Sequence, residues 1–407
     1  MANNIWRHRG KYKDPKLNIP PAIQKLDVEI IDPVEEMKPV RNVIWKPPAD
    51  DNRFWKPLNP TEHPLYNETP ALTFTYYTKF IQKTQQVCAL TKSQMFKGLP
   101  ANVSKLVNKV NVPDKETKLQ QYIMHAYEWN NSKLLQPRRF DYENMRFKFA
   151  REYGIPRVLS MRILLADLVR LCQSTAAQFP NAVKERRLIH TPYVNTNYTF
   201  KDELIILRGK ISYLLGSNKD LQPFADQEAV DQSTLYTMPD LFPVDPTIDL
   251  IKEHIYTDTI DTGFKLPYAF SRPHTIFMTN NDHWKEESRQ CRALMYCFMY
   301  ALNRAREKFG HDIINLPEPI SVQCVNLSET ALNFTCFQLN TLNLDNDQGI
   351  KNFVWFDTGN QLFSRHLPQP WKEDEFYHKR RYENFNPAPF DKMLALILNG
   401  LPVSAEL

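Results

Sequence analysis

The chain has 407 residues, which suits two or three domains at about 150 residues each and excludes a small disulfide-stapled scaffold. It holds only 10 glycines where average usage would give about 28, which argues against glycine-rich phosphate loops, and 30 prolines where about 20 would be usual. Lys and Arg number 51 against 46 Asp and Glu, a net charge of +5; that excess is too small for a dedicated nucleic-acid-binding domain and leaves any anionic partner to local patches.

In chain order, the first 16 residues carry Arg7, Arg9, Lys11, Lys13 and Lys16 against the single acid Asp14, a bias shared by mitochondrial targeting segments and ordinary basic arms. Residues 1–70 hold 11 of the 30 prolines, with Trp6, Trp45, Phe54 and Trp55 among them. Proline at this density excludes long helices and central strands. The aromatics are too costly to leave in water, so the segment reads as an extended arm laid over a surface.

A helix is predicted over residues 75–97, stopped by Gly98 and Pro100, and a second over 114–129. The strongest helical period covers 160–179. There Met161, Leu164, Leu165, Leu168, Cys172 and Phe179 share a widened face, and only Asp167, Arg170, Ser174 and Gln178 form a polar stripe, so this helix should be nearly enclosed. Residues 204–207 and 211–215 flank Gly209-Lys210, which suits a type II′ hairpin turn. The polar, proline-punctuated stretch 220–246 suggests a domain boundary. It would separate an arm (1–70) and a mostly helical domain with a hairpin (71–235) from an α+β domain (236–407).

Beyond it come a strand over 274–278, a long helix over 285–309 capped by Gly310, and strands over 320–325, 332–339 and 353–356. A polar, basic segment follows near 365–385, then a last helix over 392–399. Ile320, Val322 and Cys324 alternate with Ser321 and Gln323, as in a sheet with one wet face. The chain thus reads as α+β, with mixed helices and a mainly antiparallel sheet behind an extended proline-rich arm.

Chemistry is sparse. Cys88, Cys172, Cys291, Cys297, Cys324 and Cys336 have no CxxC spacing and read as reduced core thiols, so no zinc is expected. Six Asn-x-Ser/Thr matches, at Asn67, Asn102, Asn130, Asn197, Asn326 and Asn333, read as chance. No apolar run approaches the roughly 20 residues that a bilayer requires, so no membrane span is expected. Asp249, Glu253, His254, Asp258 and Asp261 cluster in one segment and could in principle hold a divalent cation or act as acid and base. They lack fixed ligand spacing, and a solvated loop is the expectation. Arg138 and Arg139, leading toward Arg146, Lys148 and Arg151, and Lys379, Arg380 and Arg381, flanked by Tyr377 and Tyr382, make a better case for phosphate contact with base stacking nearby.

Several segments together suggest a family. They are His63-Pro64-Leu65-Tyr66; Ala89-Leu90-Thr91-Lys92 with Gly98-Leu99-Pro100; Asp261-Thr262-Gly263-Phe264 with Pro273-His274-Thr275; and Phe337-Gln338-Leu339-Asn340-Thr341 running on to Asp345, Gly349 and Trp355. In this order, from about residue 60 to 363, the chain resembles the family of the mitochondrial large-subunit ribosomal protein numbered thirty-seven, shared with programmed cell death protein nine. The resemblance implies a mitochondrial matrix protein without enzyme activity or cofactor. It would be held on large-subunit ribosomal RNA and neighbouring ribosomal proteins, its sister protein among them. It offers no residue-level binding motif, so Arg7, Arg9, Lys11, Lys13, Arg138, Arg139, Lys379, Arg380 and Arg381 are candidate RNA contacts on charge alone. The alternatives are a soluble mitochondrial enzyme using the carboxylate and histidine cluster, and a free protein-interaction module.

Overall fold

The computed structural model describes residues 19–26, 28–30, 59–138, 145, 149–264, 268–280, 284–365 and 382–402. It forms two compact units, 1–62 and 63–407. In the first, the described residues form a short helix, Pro21–Gln24, entered through a proline in its first turn, and a single 3-10 turn, Pro60–Glu62. Of the expected arm, residues 1–18, 27 and 31–58 fall outside the described residues, and residues 66–70 belong to the first strand of the second unit.

The second unit is built on strands β1 (Tyr66–Phe74), β2 (Ser93–Lys97), β3 (Leu134–Leu135), β4 (Tyr153–Gly154), β5 (Arg186–His190), β6 (Tyr193–Phe200), β7 (Glu203–Lys210), β8 (Tyr213–Ser217) and β9 (Ile251–Ile255). It continues with β10 (Arg272–Thr279), β11 (Asn315–Ser328), β12 (Ala331–Thr341), β13 (Asn352–Asp357), β14 (Ser364–Arg365) and β15 (Tyr382–Glu383). A four-stranded sheet has the order β6-β7-β1-β9, and a seven-stranded sheet the order β2-β13-β12-β11-β10-β8-β5. Pairing is mainly antiparallel, as expected; the parallel exceptions are β1 with β7, β10 with β11, and β13 with β2. Parallel neighbours cannot be joined by a tight turn. The helix Glu286–Phe309 supplies the connection from β10 to β11.

That helix packs on β10, β11 and β12 from one side and on β6 from the other, so it lies between the two sheets. The opposite face of the large sheet is covered by the helices Arg157–Ala176 and Ala388–Leu398. Strand alternation therefore feeds two cores. Ile276, Met278, Val322 and Cys324 point to the central helix, while Phe277, Val325, Leu327 and Phe334 point to the outer helices. All six cysteines are free and buried.

Several expectations need correction. The helix expected over 75–97 is confined to Lys83–Leu90; Lys92 turns with a left-handed φ of 46°, and Ser93–Lys97 pairs in parallel with Asn352–Phe356 of β13. Met95, counted toward a helical face, is exposed. Pro70 lies in β1, which is a central strand. It is tolerated because the β1–β9 register slips between Tyr66 and Ala71, where no ladder bond is required of it.

Gly209-Lys210 is not a turn either. β7 runs through both residues and pairs with β6 across a turn at Lys201-Asp202, whose φ values of 47° and 64° fit a type I′ geometry without any glycine. Gly209 serves close packing instead: a Cβ there would lie 2.1 Å from the Tyr296 Oη on the central helix.

The wet face expected on β11 is also absent, because Ser321 and Gln323 are both buried. Gln323 Nε2 donates to the Leu396 carbonyl and to Thr275 Oγ1, each at 2.9 Å, and Asn399 Nδ2 donates to Gln323 Oε1 at 3.0 Å. His274 Nε2 donates to the Asn399 carbonyl at 3.0 Å, and Arg186 Nη2 donates to the same carbonyl at 2.5 Å. These bonds fasten the C-terminal helix to the sheet and satisfy polar groups that would otherwise be costly to bury. The helices expected over 114–129, 160–179, 285–309 and 392–399 appear as Lys115–Met124 with a π-helical extension to Trp129, Arg157–Ala176, Glu286–Phe309 and Ala388–Leu398. Asp167, placed on the polar stripe, is buried; its carboxylate accepts from Arg170 Nη2 and meets His125 Nδ1, each at 2.8 Å. Strands on both sides of the stretch 220–246 enter the same seven-stranded sheet.

Two outcomes follow from this packing. Gly209→Ala should cost about 1–3 kcal/mol, because the enclosed Tyr296 has little room to retreat; chemical denaturation of both forms measures it. For His274, burial, followed by the Arg186 charge, holds the imidazole well below its ordinary value despite the opposing pull of the Asn399 carbonyl. The unfolded chain then binds a proton near pH 6.5 that the folded chain refuses. This contribution is fully present above that pH, and each unit below it removes up to about 1.4 kcal/mol until the depressed folded value is reached. Denaturant midpoints measured from pH 7.5 downward should show the loss, and His274→Gln should flatten it.

Candidate interaction surfaces

The segment with five titratable residues is a solvated loop only in part: residues 256–260 lie outside any strand and are mostly exposed, and the stretch before them is ordered. Residues 251–255 are β9, the edge strand beside β1, and the carboxylates of Asp249, Glu253 and Asp261 are committed to structural bonds. Asp249 Oδ2 accepts from the Ile81 amide at 2.8 Å and from Gln86 Nε2 at 3.0 Å, closing the entry to the helix Lys83–Leu90. Both oxygens of Glu253 accept from Arg208 Nη2, at 2.9 and 3.0 Å, and Thr73 Oγ1 donates to Oε2 at 3.0 Å. His254 stacks on Tyr66 with its Nδ1 3.1 Å from the Asn67 carbonyl. Asp261 pairs with Asn195 through the backbone and accepts from the Gly263 amide at 2.8 Å. Asp258 meets the sheet through its carbonyl, which accepts from Asn197 Nδ2 at 2.6 Å. The ordered stretch is a sheet edge, and no group of three metal-ligating side chains occurs among the described residues.

Of the nine candidate RNA contacts, Arg138 is described, and it is exposed in the loop after β3. Arg7, Arg9, Lys11, Lys13, Arg139, Lys379, Arg380 and Arg381 lie outside the described residues. Two neighbours prove to be engaged locally. Arg151 donates to the Gln136 and Leu135 carbonyls, at 2.9 and 3.1 Å, and Tyr382 packs edge-on against Phe363.

A surface the sequence does not mark lies where the chain changes sheets. Between β5 and β6, and again between β7 and β8, only two residues separate a strand of one sheet from a strand of the other. The two crossings are tied by Thr191 N to the Ser212 carbonyl at 2.9 Å and by Ile211 N to the Pro192 carbonyl at 3.3 Å. At this corner opens a cleft of about 570 Å³ lined by Tyr76, Tyr77, His190, Tyr213, Arg162 and Lys210, among others. Tyr77 is 81% exposed. Tyr76 is fixed from below by Arg292, whose guanidinium sits 4.0 Å from its ring centre and 4.0 Å from that of Trp284. These residues are scattered from position 76 to 292, so no local motif could have marked them.

A second opening, of about 580 Å³, lies beside the edge strand β2 and has a different chemistry. Its wall is a ring cluster in which Phe96 stacks on Trp355 at 5.1 Å, with Phe353 and Phe224 edge-on to the indole. No charged side chain lines it among the described residues.

No family model matches the chain. Over 364 residues it is 27% identical to the large ribosomal subunit protein mL37 of Rattus norvegicus, spanning 88% of this chain and 81% of that protein. The mL37 protein of Mus musculus is 28% identical over 369 residues, 88% of this chain and 82% of its own, and that of Gallus gallus 27% over 345 residues, 83% and 76%. The chain is thus similar to mL37 proteins over most of its length. Of the segments that carry the resemblance to mL37, two contain a glycine at a structural corner and others lie within strands. Gly98 and Gly263 have φ of 85° and 78°, and a Cβ on Gly263 would lie 2.7 Å from the Tyr193 carbonyl oxygen. Residues 337–341 lie in β12.

The commitments of the carboxylates give a direct outcome. Titration with magnesium, manganese or zinc ions should leave the melting temperature of the chain unchanged, since a bound ion would raise it by mass action. Arg208→Ala should lower stability by about 0.5–1 kcal/mol, a modest cost because the Arg208–Glu253 pair is partly exposed. A metal-dependent rise in melting temperature that Glu253→Gln abolishes would reverse this assignment.

Proposed function

We propose that the chain is a structural component of the mitochondrial large ribosomal subunit, contacting ribosomal RNA and neighbouring ribosomal proteins in support of mitochondrial translation. The carrying observation is the match to mL37 proteins over 83–88% of the chain. The corresponding location is the mitochondrial matrix. The role is one of positioning and not of catalysis, a reading supported by carboxylates and histidines that are tied into sheet edges and helix ends. Ribosomal RNA and the sister protein of the family are the partners proposed. The uncharged aromatic opening beside β2 suits a protein neighbour, and the cationic corner suits phosphate. No helix among the described residues is long and apolar enough to cross a membrane.

In a sucrose gradient of mitochondrial lysate, the chain should run with the large subunit and stay with it when magnesium chelation separates the subunits. Recovery confined to the light soluble fractions at low salt would overturn the proposal.

A further inference from the structure

We propose that the cleft at the sheet corner binds an unpaired stretch of ribosomal RNA, with a base stacked on Tyr77 and the adjoining phosphates met by Arg162 and Lys210. This deepens the ribosomal reading and rests on it for the identity of the RNA.

Three observations carry it. Tyr77 leaves a large ring 81% exposed, edge-on to Tyr76 at a centroid distance of 5.5 Å, so one face of a prepared aromatic pair stands open. Its neighbour Tyr76 is held by the buried Arg292, so the platform is built before any ligand arrives. Next, the charge is of one sign: Arg162 and Lys210 are both exposed, and no carboxylate lines the cleft among the described residues. Cations that were there only for solubility would gain nothing from converging on the same aromatic cleft. An anion with flat faces matches both features at once. Finally, the walls are rigid. The cleft is cut into the two crossings between sheets, where Ser212 N donates to the Phe277 carbonyl at 3.1 Å and Tyr213 packs edge-on to His190 at 4.9 Å.

Size and chemistry together favour a single strand. A cleft of about 570 Å³ falls within the roughly 300–1,000 Å³ of sites that enclose small groups. It can accept a splayed base with its sugar and phosphate, but a stacked duplex keeps its bases out of reach of such a platform. Base–aromatic stacking tolerates any base, so the preference should be for unpaired RNA and not for a sequence.

The test uses the full-length chain and a fluorescent single-stranded oligouridylate, followed by anisotropy across a potassium chloride series. Tyr77→Ala should weaken binding roughly 5- to 150-fold, and Tyr77→Phe should stay near the native value. Arg162→Ala and Lys210→Ala should each flatten the slope of log affinity against log salt by about 0.7. Melting curves establish that the variants fold, and Tyr77, being exposed, has little packing to lose. Native affinity and slope in folded Tyr77→Ala and Arg162→Ala would overturn the proposal.

A second arm places a photoreactive phenylalanine at position 77 of chains incorporated into large subunits. Crosslinks to ribosomal RNA are expected. Crosslinks only to a neighbouring protein, or none, would count against the cleft as an RNA site. If the native chain fails to sediment with the large subunit, the ribosomal reading falls while the oligonucleotide arm still reports on the cleft. If it sediments and the variants bind RNA like the native chain, the cleft falls alone.

Discussion

The enclosure of the helix Glu286–Phe309 between two sheets is the constraint on which the rest of the second unit depends. Residues 291–305 of this helix are buried without interruption. A helix covered on all sides has no solvent-facing stripe on which to place ordinary polar residues. Its sequence answers with small and soft side chains, Cys291, Ala293, Cys297, Ala301 and Ala305, where strands come close, and with Gly209 on the strand that approaches Tyr296. The two arginines of its buried stretch are anchored near opposite ends. Arg292 lies between aromatic rings and donates to Asn280 Oδ1 at 3.0 Å, and Arg304 forks onto Asp220 at 2.7 and 2.9 Å. Burial alone would raise the Asp220 carboxyl, but the fork and charge of Arg304, with Lys308 and Arg272 nearby, hold it below the usual carboxylate range.

Because the central helix occupies one face of the large sheet, the outer helices must cover the other, and both faces of β10 and β11 become core. This explains the failure of the alternation rule on β11. Apolar residues at 320, 322 and 324 look toward the central helix, as expected, but Ser321 and Gln323 look into the second layer and not into water. Gln323, with His274, Asn399 and Arg186, is a buried polar network whose partners come from four separate stretches of chain. Period-two alternation reports that a strand has two chemically different faces. It cannot report that the polar face meets backbone carbonyls at the end of a helix more than 70 residues away.

The same distinction governs what was legible elsewhere. The four helices with strong 3.6-residue patterns appear close to their expected limits, because their burial is decided by residues within a few turns of one another. β1 and β9 escaped because their partners are remote, and β6 because its turn to β7 lacks glycine; Lys201-Asp202 adopts left-handed backbone without the usual signal. Gly209 misled for the complementary reason. In a chain with so few glycines, each one draws attention as a turn, yet this one is fixed by the proximity of an aromatic ring 87 positions later. The candidate carboxylates were legible as a cluster, but only the register of β9 against β1 shows that Glu253 is answered by Arg208 and Thr73.

Charge is therefore used in two ways within one unit. The half-exposed Arg208 and the buried Arg292 and Arg304 lie against carboxylates, amides or rings, and they tie sheet edges and helix ends together. At the corner between the sheets, Arg162 and Lys210 are left on the surface beside an open tyrosine. At the far edge of the large sheet, the opening around Trp355 has a wall of aromatic rings and, among the described residues, no charged side chain. A small overall excess of +5 conceals this separation. Long-range attraction for a polyanion scales with the summed field and is weak here, whereas contact with a phosphate depends on the few cations within a Debye length of about 8–10 Å. A component that is placed by assembly needs the second property far more than the first. The corner supplies cations where strand crossings already hold the backbone still, so little side-chain and loop entropy remains to be lost when a neighbouring strand of RNA settles against it.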